Sequence, residues 1–266
     1  MTLKQFEERI GATLFQTDRK SQLTDVGMMV AREIRLFLEH ADATGRNIVS
    51  YAQGLRGQLD VACVPSISVA FLSATLERYW ERHPNVQINV RDMDSRSVQE
   101  AVATGIAEIG IASRYSPLES LKFTPLFEDR LALVCTDDDP LCDTDQPIEW
   151  DALRSRIFFA NSTHKQLRTP AFLEIEAGKK ADIPNIVSLL SLVRSHAGIT
   201  ILPRLSALQG AVGVRFLPLA DEGASRVVGT LVREDHTLSP AAIGFIKILT
   251  DAVAEHAADY DVDLLF

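Results

Sequence analysis

The chain has 266 residues, 46% of them hydrophobic and 24% charged, with a formal net charge of −9. That length holds two ordinary domains or one domain split by a hinge, and the acidic balance argues against broad, non-specific nucleic-acid binding by the whole chain. No apolar run approaches the roughly 20 residues that span a bilayer, and Glu7 and Glu8 stand where an export signal is basic and then apolar, so the sequence predicts a cytoplasmic globular protein with no membrane partner.

Leu3, Phe6 and Ile10 set an apolar helical stripe that breaks at Gly11. Only Thr2 and the initiator precede it, so this helix reads as one that starts without a cap. "ATLFQTDRKSQLT" follows as a turn-rich ribbon with Arg19 and Lys20 at its tip. Thr24 or Asp25 can cap a second, longer helix, along which Val26, Val30, Ile34, Phe37, Leu38 and Ala41 form a narrow apolar stripe. A stripe that narrow suits pairing with another long helix. Gly45 weakens this helix, and Gly54 with Gly57 ends it.

Strands and helices then alternate. "QLDVACV" (58–64) is a strand leading through Pro65 and Ser66 into a helix whose buried face is Leu72, Leu76, Tyr79 and Trp80. "VQINVRDM" is a strand, "SRSVQEAVATG" a helix with Ser97 and Glu100 spaced as a capping box, and "AEIGIAS" a strand. This order predicts a parallel sheet with right-handed crossovers. "RLALVCT" (130–136) adds a strand before an Asp-rich loop. A second α/β set follows: strand "RIFFAN", helices around "RTPAFLEIEAG" and "NIVSLLSLVRSHAG", and strands "ITILP", "VRFLPL" and "RVVGTLVRE". Ser239 caps the last helix, with Pro240 at its first position. Two α/β units side by side predict a two-lobed receptor with a cleft between the lobes.

The sequence offers little catalytic chemistry. Its six histidines show no metal-ligand spacing, and no nucleophile elbow or glycine-rich phosphate loop occurs. The run Asp137–Asp139 before Pro140 reads as a solvated loop rather than a metal site. The sequence thus predicts neither an enzyme nor a cofactor. Cys63 and Cys135 lie in strand-like runs as small hydrophobes, and a Cys135–Cys142 redox pair is the sharper alternative. Stronger signals sit at polar strand-to-helix turns, where parallel sheets bind ligands and helix N-termini attract anions. Ser66 and Ser68 occupy one such turn, Ser95 and Ser97 a second, and Asn161, Ser162, Thr163 and His164 a third; "SHAG" (195–198) precedes the ITILP strand. Plain helix capping explains any one of them. Their recurrence in both units favours a shared small-molecule cleft.

Together these segments resemble the LysR-type transcriptional regulators. "FEERIGATLF…DR…LTDVG" is similar to that family's Leu-Glu-x-x-Leu-Gly-x-x-Leu-Phe…Arg…Leu-Thr-x-x-Gly signature, and "VAREIRLFLEHA" to the start of its linker helix. "RGQLDVACVPSI…AVATGIAEIGI" resembles its first effector subdomain, "LKFTPLFEDRLALVC" its crossover, and "SLLSLVRSHAGITILP" its Leu-Val-x-x-Gly-x-Gly-x-x-x-Leu-Pro stretch. Three departures stand out. His196 replaces a frequent glycine, Thr17 falls near a common arginine, and the Leu14–Gly27 ribbon is one residue short. Phe6 and Glu7 align with the end of the recognition helix, so roughly thirty residues of a helix-turn-helix would lie upstream of Met1.

The resemblance implies an α/β fold of two Rossmann-like effector subdomains, of the type 2 periplasmic-binding kind, behind a partial winged helix-turn-helix and a linker helix. It divides the chain into 1–24 (DNA-binding), 25–54 (dimerisation), 55–127 with 235–258 (subdomain I) and 128–234 (subdomain II), with a hinge near Leu126–Arg130 and Leu231–Glu234. It implies effector contacts from Ser66, Ser68, Ser95, Asn161, Thr163 and His196, and DNA contacts from Lys4, Gln5, Arg19 and Lys20. The partners implied are promoter DNA, an anionic metabolite, further copies in a homodimer or homotetramer, and RNA polymerase. A solute-binding transport receptor shares the two-lobed plan and is the alternative; it would need an export signal and no 24–54 helix.

Overall fold

The computed structural model describes residues 2–16, 22–53, 57–116, 119–210 and 212–266. Its first helix, α1 (Leu3–Ile10), does have a cap: Thr2 Oγ1 accepts from the Gln5 N–H while Gln5 Oε1 accepts from the Thr2 N–H. The expectation of an uncapped start fails because a threonine three residues before a glutamine is itself a capping box. A short antiparallel ribbon follows, bridged at Phe15 and Leu23; its tip, with Thr17, Arg19 and Lys20, lies outside the described residues. Helix α2 (Asp25–Gln53) is capped by Thr24, whose Oγ1 accepts from the Gly27 N–H at 2.9 Å, and it runs through Gly45 without a break. Gly27 lies against the ribbon: a Cβ there would stand 2.0 Å from the Leu14 carbonyl oxygen. Among the described residues the apolar stripe of α2 is largely uncovered, with Phe37 67% and Leu38 56% exposed.

Strand β1 (Gln58–Cys63) leads into α3 (Pro65–Ile67), a π-helical turn (Ser68–Leu72) and α4 (Ser73–Arg82). Then come β2 (Gln87–Asp92), α5 (Ser95–Ala103) and β3 (Ile109–Ser113). Strands β2 and β3 flank β1 in parallel, as the alternation predicts. Asp94, rather than a Ser97–Glu100 box, caps α5, its side chain accepting from the Ser97 N–H. Tyr79 is fully buried, whereas Trp80 is 45% exposed and donates its indole N–H to the Val86 carbonyl. An indole with a polar partner at the surface need not enter the core.

The next strand, β4 (Leu121–Thr136), is longer than the sequence indicates: "LKFTPLFED" and "RLALVCT" form one element of 16 residues. Smaller elements follow: a 3₁₀ turn at Pro140–Asp143, β5 (Phe159–Ala160), α6 (Pro170–Ala177), β6 (Ala181–Asp182), α7 (Ile186–Arg194), β7 (Thr200–Pro203) and β8 (Val214–Pro218). Strand β9 (Ser225–Arg233), α8 (Pro240–His256) and β10 (Asp263–Leu264) close the chain. Ser239 caps α8 as the sequence predicts.

Strand β9 runs antiparallel to both β3 and β4, so the sheet is mixed rather than parallel throughout. One core gathers Leu59, Val61, Ile109, Phe71, Tyr79, Phe245 and Leu249 around β1–β3. In the second lobe β4 alternates by the strand period of two. Leu131, Leu133 and Cys135 face Phe158 and Phe172, while Val134 faces Leu189 and Val193. Leu126 and Phe127 belong to the first core and Leu131 to the second, so β4 threads both lobes. Beside this passage the β4–β9 register shifts between Pro125 and Phe127. There Gly229 admits the neighbouring strand, since a Cβ would lie 2.3 Å from the Thr124 carbonyl oxygen.

Candidate functional site

Where β4 and β9 pass between the lobes, Asp129 faces Arg226 in direct register. Arg226 Nε and Nη2 donate to Asp129 Oδ2 at 3.1 and 2.8 Å, and Nη2 also donates to Ser66 Oγ at 2.7 Å. Both charged side chains are buried, 4% and 1% exposed. Burial pushes the Asp129 carboxyl above its ordinary range, and the guanidinium opposes that push. Sequence reasoning missed this pair, yet its signal was present in the strand period. Asp129 is in phase with Phe127 and Leu131, and Arg226 with Val228 and Thr230, all of them buried. Opposite charges at buried positions of two strands are affordable only when they meet.

Ser66 forms one wall of a cleft of about 270 Å³ between the lobes. From the first lobe come Val64, Val69, Asp92 and Ser95; from the second come Asn161, Thr163, Asn185, Ile186 and Val187; Arg226 and Ser206 lie at the base. The N-termini of α5 and α7 open onto it, capped by Asp94 and by Asn185, whose side chain accepts from the Ser188 N–H at 3.0 Å. These ends bring positive dipoles to the cleft. Two buried hydroxyls, Ser206 Oγ here and Ser113 Oγ in an annex shared with Ser95, Thr163 and Arg226, have no hydrogen-bond partner among the described residues.

Ser66, Ser95, Asn161 and Thr163 are thus brought together as the sequence predicts, with Asn161 in a supporting role. Its Oδ1 accepts from the Thr163 N–H at 2.8 Å and its Nδ2 donates to the Ile201 carbonyl at 3.1 Å, which fixes the turn. His164 sits under the same turn, fully buried. Its Nδ1 accepts from the Asn161 N–H and its Nε2 donates to the Ile201 carbonyl; burial pulls its pKa down to about 4, so the ring is neutral. Ser68 and His196 fall outside the cleft lining. Ser68 Oγ donates to Asp92 Oδ1 at 2.5 Å, beside a carboxylate that does line the cleft. His196 takes the left-handed backbone (φ 59°) that glycine adopts without cost, and its exposed ring meets the Asp138 carboxylate at 3.0 Å. Asp138 pushes the His196 pKa up, and His196 holds the Asp138 carboxyl below the usual range. Lys4 and Gln5 lie exposed on α1, with the Gln5 carbonyl engaged in the cap.

A larger cavity, about 780 Å³, lies between α2 and the first lobe, beside His40, Asp60, Glu108 and Arg233. Its carboxylates are already engaged: Asp60 accepts from Gln58 and Asn89, and Glu108 from Ser239. The smaller cleft is the better candidate, because helix N-termini and unspent hydroxyls converge there and both lobes contribute.

The LysR substrate binding domain model matches residues 52–254. The chain belongs to the LysR family of transcriptional regulators. An Escherichia coli (strain K12) protein described as an uncharacterized HTH-type transcriptional regulator, YbhD, is 28% identical over 93% of this LysR-type chain and 80% of its own. A Dickeya chrysanthemi hydrogen peroxide-inducible genes activator is 20% identical over 96% and 84%. Among solved structures, the LysR family regulator CbnR superposes with a TM-score of 0.66 at 16% identity, over 94% of this chain and 87% of its own. The effector binding domain of QuiR, in complex with shikimate, gives 0.65 at 16% over 76% and 99%. The α/β fold is that of LysR effector-binding domains, of the type 2 periplasmic-binding kind, with part of the helix-turn-helix region ahead of it. Among the described residues no helix is long and apolar enough to cross a membrane.

Proposed function

We propose that this LysR-type regulator senses a small organic acid in the interlobe cleft and transmits its occupancy to promoter DNA. The Ser66–Arg226–Asp129 chain carries the reading, because it ties a cleft hydroxyl to both strands at their passage between the lobes. A ligand bonded to Ser66 therefore acts on the hinge itself. Ser95, Thr163 and Ser206 offer further hydroxyls, and the α5 and α7 N-termini favour an anionic head group. A volume of about 270 Å³ lies below the range of drug-sized pockets and suits a small metabolite. Two structural relatives support the class, the QuiR domain with shikimate and the BenM domain with its effector benzoate. Ser68, Asn161 and His196 stand in the second rank, holding Asp92, the Thr163 turn and the Asp138 loop.

In this reading residues 1–24 contact DNA, Lys4 and Gln5 from α1 and Arg19 and Lys20 as phosphate contacts of the wing. Residues 25–54 pair with a second copy through the uncovered α2 stripe, 55–127 with 235–258 form one effector subdomain, and 128–234 form the other, apart from the stretch of β9 that pairs with β3. RNA polymerase is the further partner, the setting is cytoplasmic, and the cleft releases its ligand unchanged. The test is a gel-shift titration at fixed salt with DNA upstream of the chain's own coding sequence, with and without shikimate or benzoate as probes. Sequence-specific binding whose midpoint moves with an added acid supports the reading, and binding indifferent to every acid tried overturns it.

A further inference from the structure

Cys135 and Cys142 lie outside the cleft, in the second lobe. Cys135 is fully buried near the end of β4. Cys142 is half-buried in the Pro140–Asp143 turn, and the two sulfurs are 3.8 Å apart. Contacts independent of sulfur build this approach. The Asp139 and Cys142 N–H groups donate to the Thr136 and Asp139 carbonyls at 3.2 and 2.8 Å. The Asp139 carboxylate accepts from the Leu141 N–H and pairs with Arg156. The Cys142 thiol itself donates to the Thr136 carbonyl oxygen at 3.4 Å. Cys63, by contrast, is buried beside Ser68 and Asp92 in the other lobe.

We propose that Cys135 and Cys142 are a modification site, closing to an intramolecular disulfide when the protein meets a low-molecular-weight disulfide such as oxidised glutathione. Exposure fixes the order of steps. Cys142 gives its proton to solvent and its thiolate attacks one glutathione sulfur; the glutathione S–S bond breaks and the first glutathione leaves as a thiolate. Cys135 then attacks the Cys142 sulfur of the mixed disulfide; the bond from Cys142 to glutathione breaks, and the departing glutathione thiolate takes up the proton that Cys135 loses. Two protein thiols are oxidised and one glutathione disulfide is reduced to two thiols. Burial pushes the Cys135 thiol up to about 12, so it resolves rather than initiates. Closure brings the sulfurs from 3.8 Å to about 2.05 Å, within reach of side-chain rotation and a small shift of the turn. The bridge would fasten the turn that carries Asp138 and Asp139 to β4.

The test treats the reduced, folded chain with oxidised glutathione, alkylates the remaining thiols and reads peptide masses. No Lys or Arg separates the two cysteines between Arg130 and Arg154, so the bridge appears as one tryptic peptide short of two hydrogens. The expected result is that loss with no glutathione retained, and Cys63 alkylated. Cys135→Ser should strand a stable glutathione adduct on Cys142, and Cys142→Ser should leave both other thiols unmodified. A persistent adduct on Cys142 of the parent, thiols that do not react in the folded chain, or a bridge formed only in urea would each overturn the proposal.

Discussion

Two acid–base pairs join distant parts of this chain, and they differ in almost everything except their geometry. Asp129 and Arg226 meet in the interior between the lobes, 4% exposed at most; Asp138 and His196 meet on the surface, 66% and 63% exposed. Water screens the second pair and serves its partners when separated, whereas the first pair's charges are shut away from water. The polar contact that joins the lobes is therefore the one hidden in two strands, and the conspicuous histidine at an unusual backbone angle lies outside the cleft.

The comparison breaks most visibly at Arg226. Arg226→Gln leaves Asp129 buried without its cation and should cost about 3–5 kcal/mol in urea unfolding. Adding Asp129→Asn should restore a large part of that loss, because the uncompensated charge is gone; a double variant no more stable than the single one would show that packing, not charge, is at stake. Next in size is a pH effect from His164. Its pKa falls from 6.5 unfolded to about 4 folded, so between those values the unfolded chain binds the proton and the folded chain does not. Stability should fall as the solution is acidified through that window, by about 3 kcal/mol in all. His164→Gln should flatten this part of the urea-midpoint profile. His196 has the opposite sign: its raised pKa gives a contribution present below its unfolded value and lost as pH rises through its folded one.

Gly229→Ala should destabilise by about 1–3 kcal/mol, since the new methyl meets the Thr124 carbonyl and the Phe123 ring beside the lobe passage. Smallest of all, His196→Gly should leave the thermal midpoint within the scatter of replicate melts, because it removes a screened pair while relieving a left-handed residue. A large loss there would mean that the Asp138 contact holds the second lobe together.

Much of the fold was legible because local chemistry decided it. Ser239 followed by Pro240 starts α8 in the sequence and in space, and the alternation from Gln58 to Ser113 gives the parallel β2–β1–β3 unit. What escaped depends on partners far along the chain. Continuity of β4 through Pro125 needs a register shift against β9; the Thr2 cap is the exception, a local box closed with Gln5 three residues on. In the site, hydroxyls at strand-to-helix turns were readable from spacing, and Ser66, Ser95 and Thr163 do converge. Ser68 stands outside the cleft lining with its hydroxyl spent on Asp92. Arg226 and Asp129 are separated by 97 positions, and parity marks each as buried without naming the other.

The most direct measurement is a calorimetric titration of the parent and Ser66→Ala chains with the small carboxylic acid, from a panel including shikimate and benzoate, that most raises the parent's thermal midpoint. The substitution removes an acceptor of Arg226 while leaving the Asp129 bonds in place, so its cost to folding should be only about 1 kcal/mol. The account predicts one saturable site on the parent chain and binding weakened about tenfold or more, ~1.4 kcal/mol, in the variant. Equal affinity in the two chains, or no acid that binds the parent at all, would contradict it.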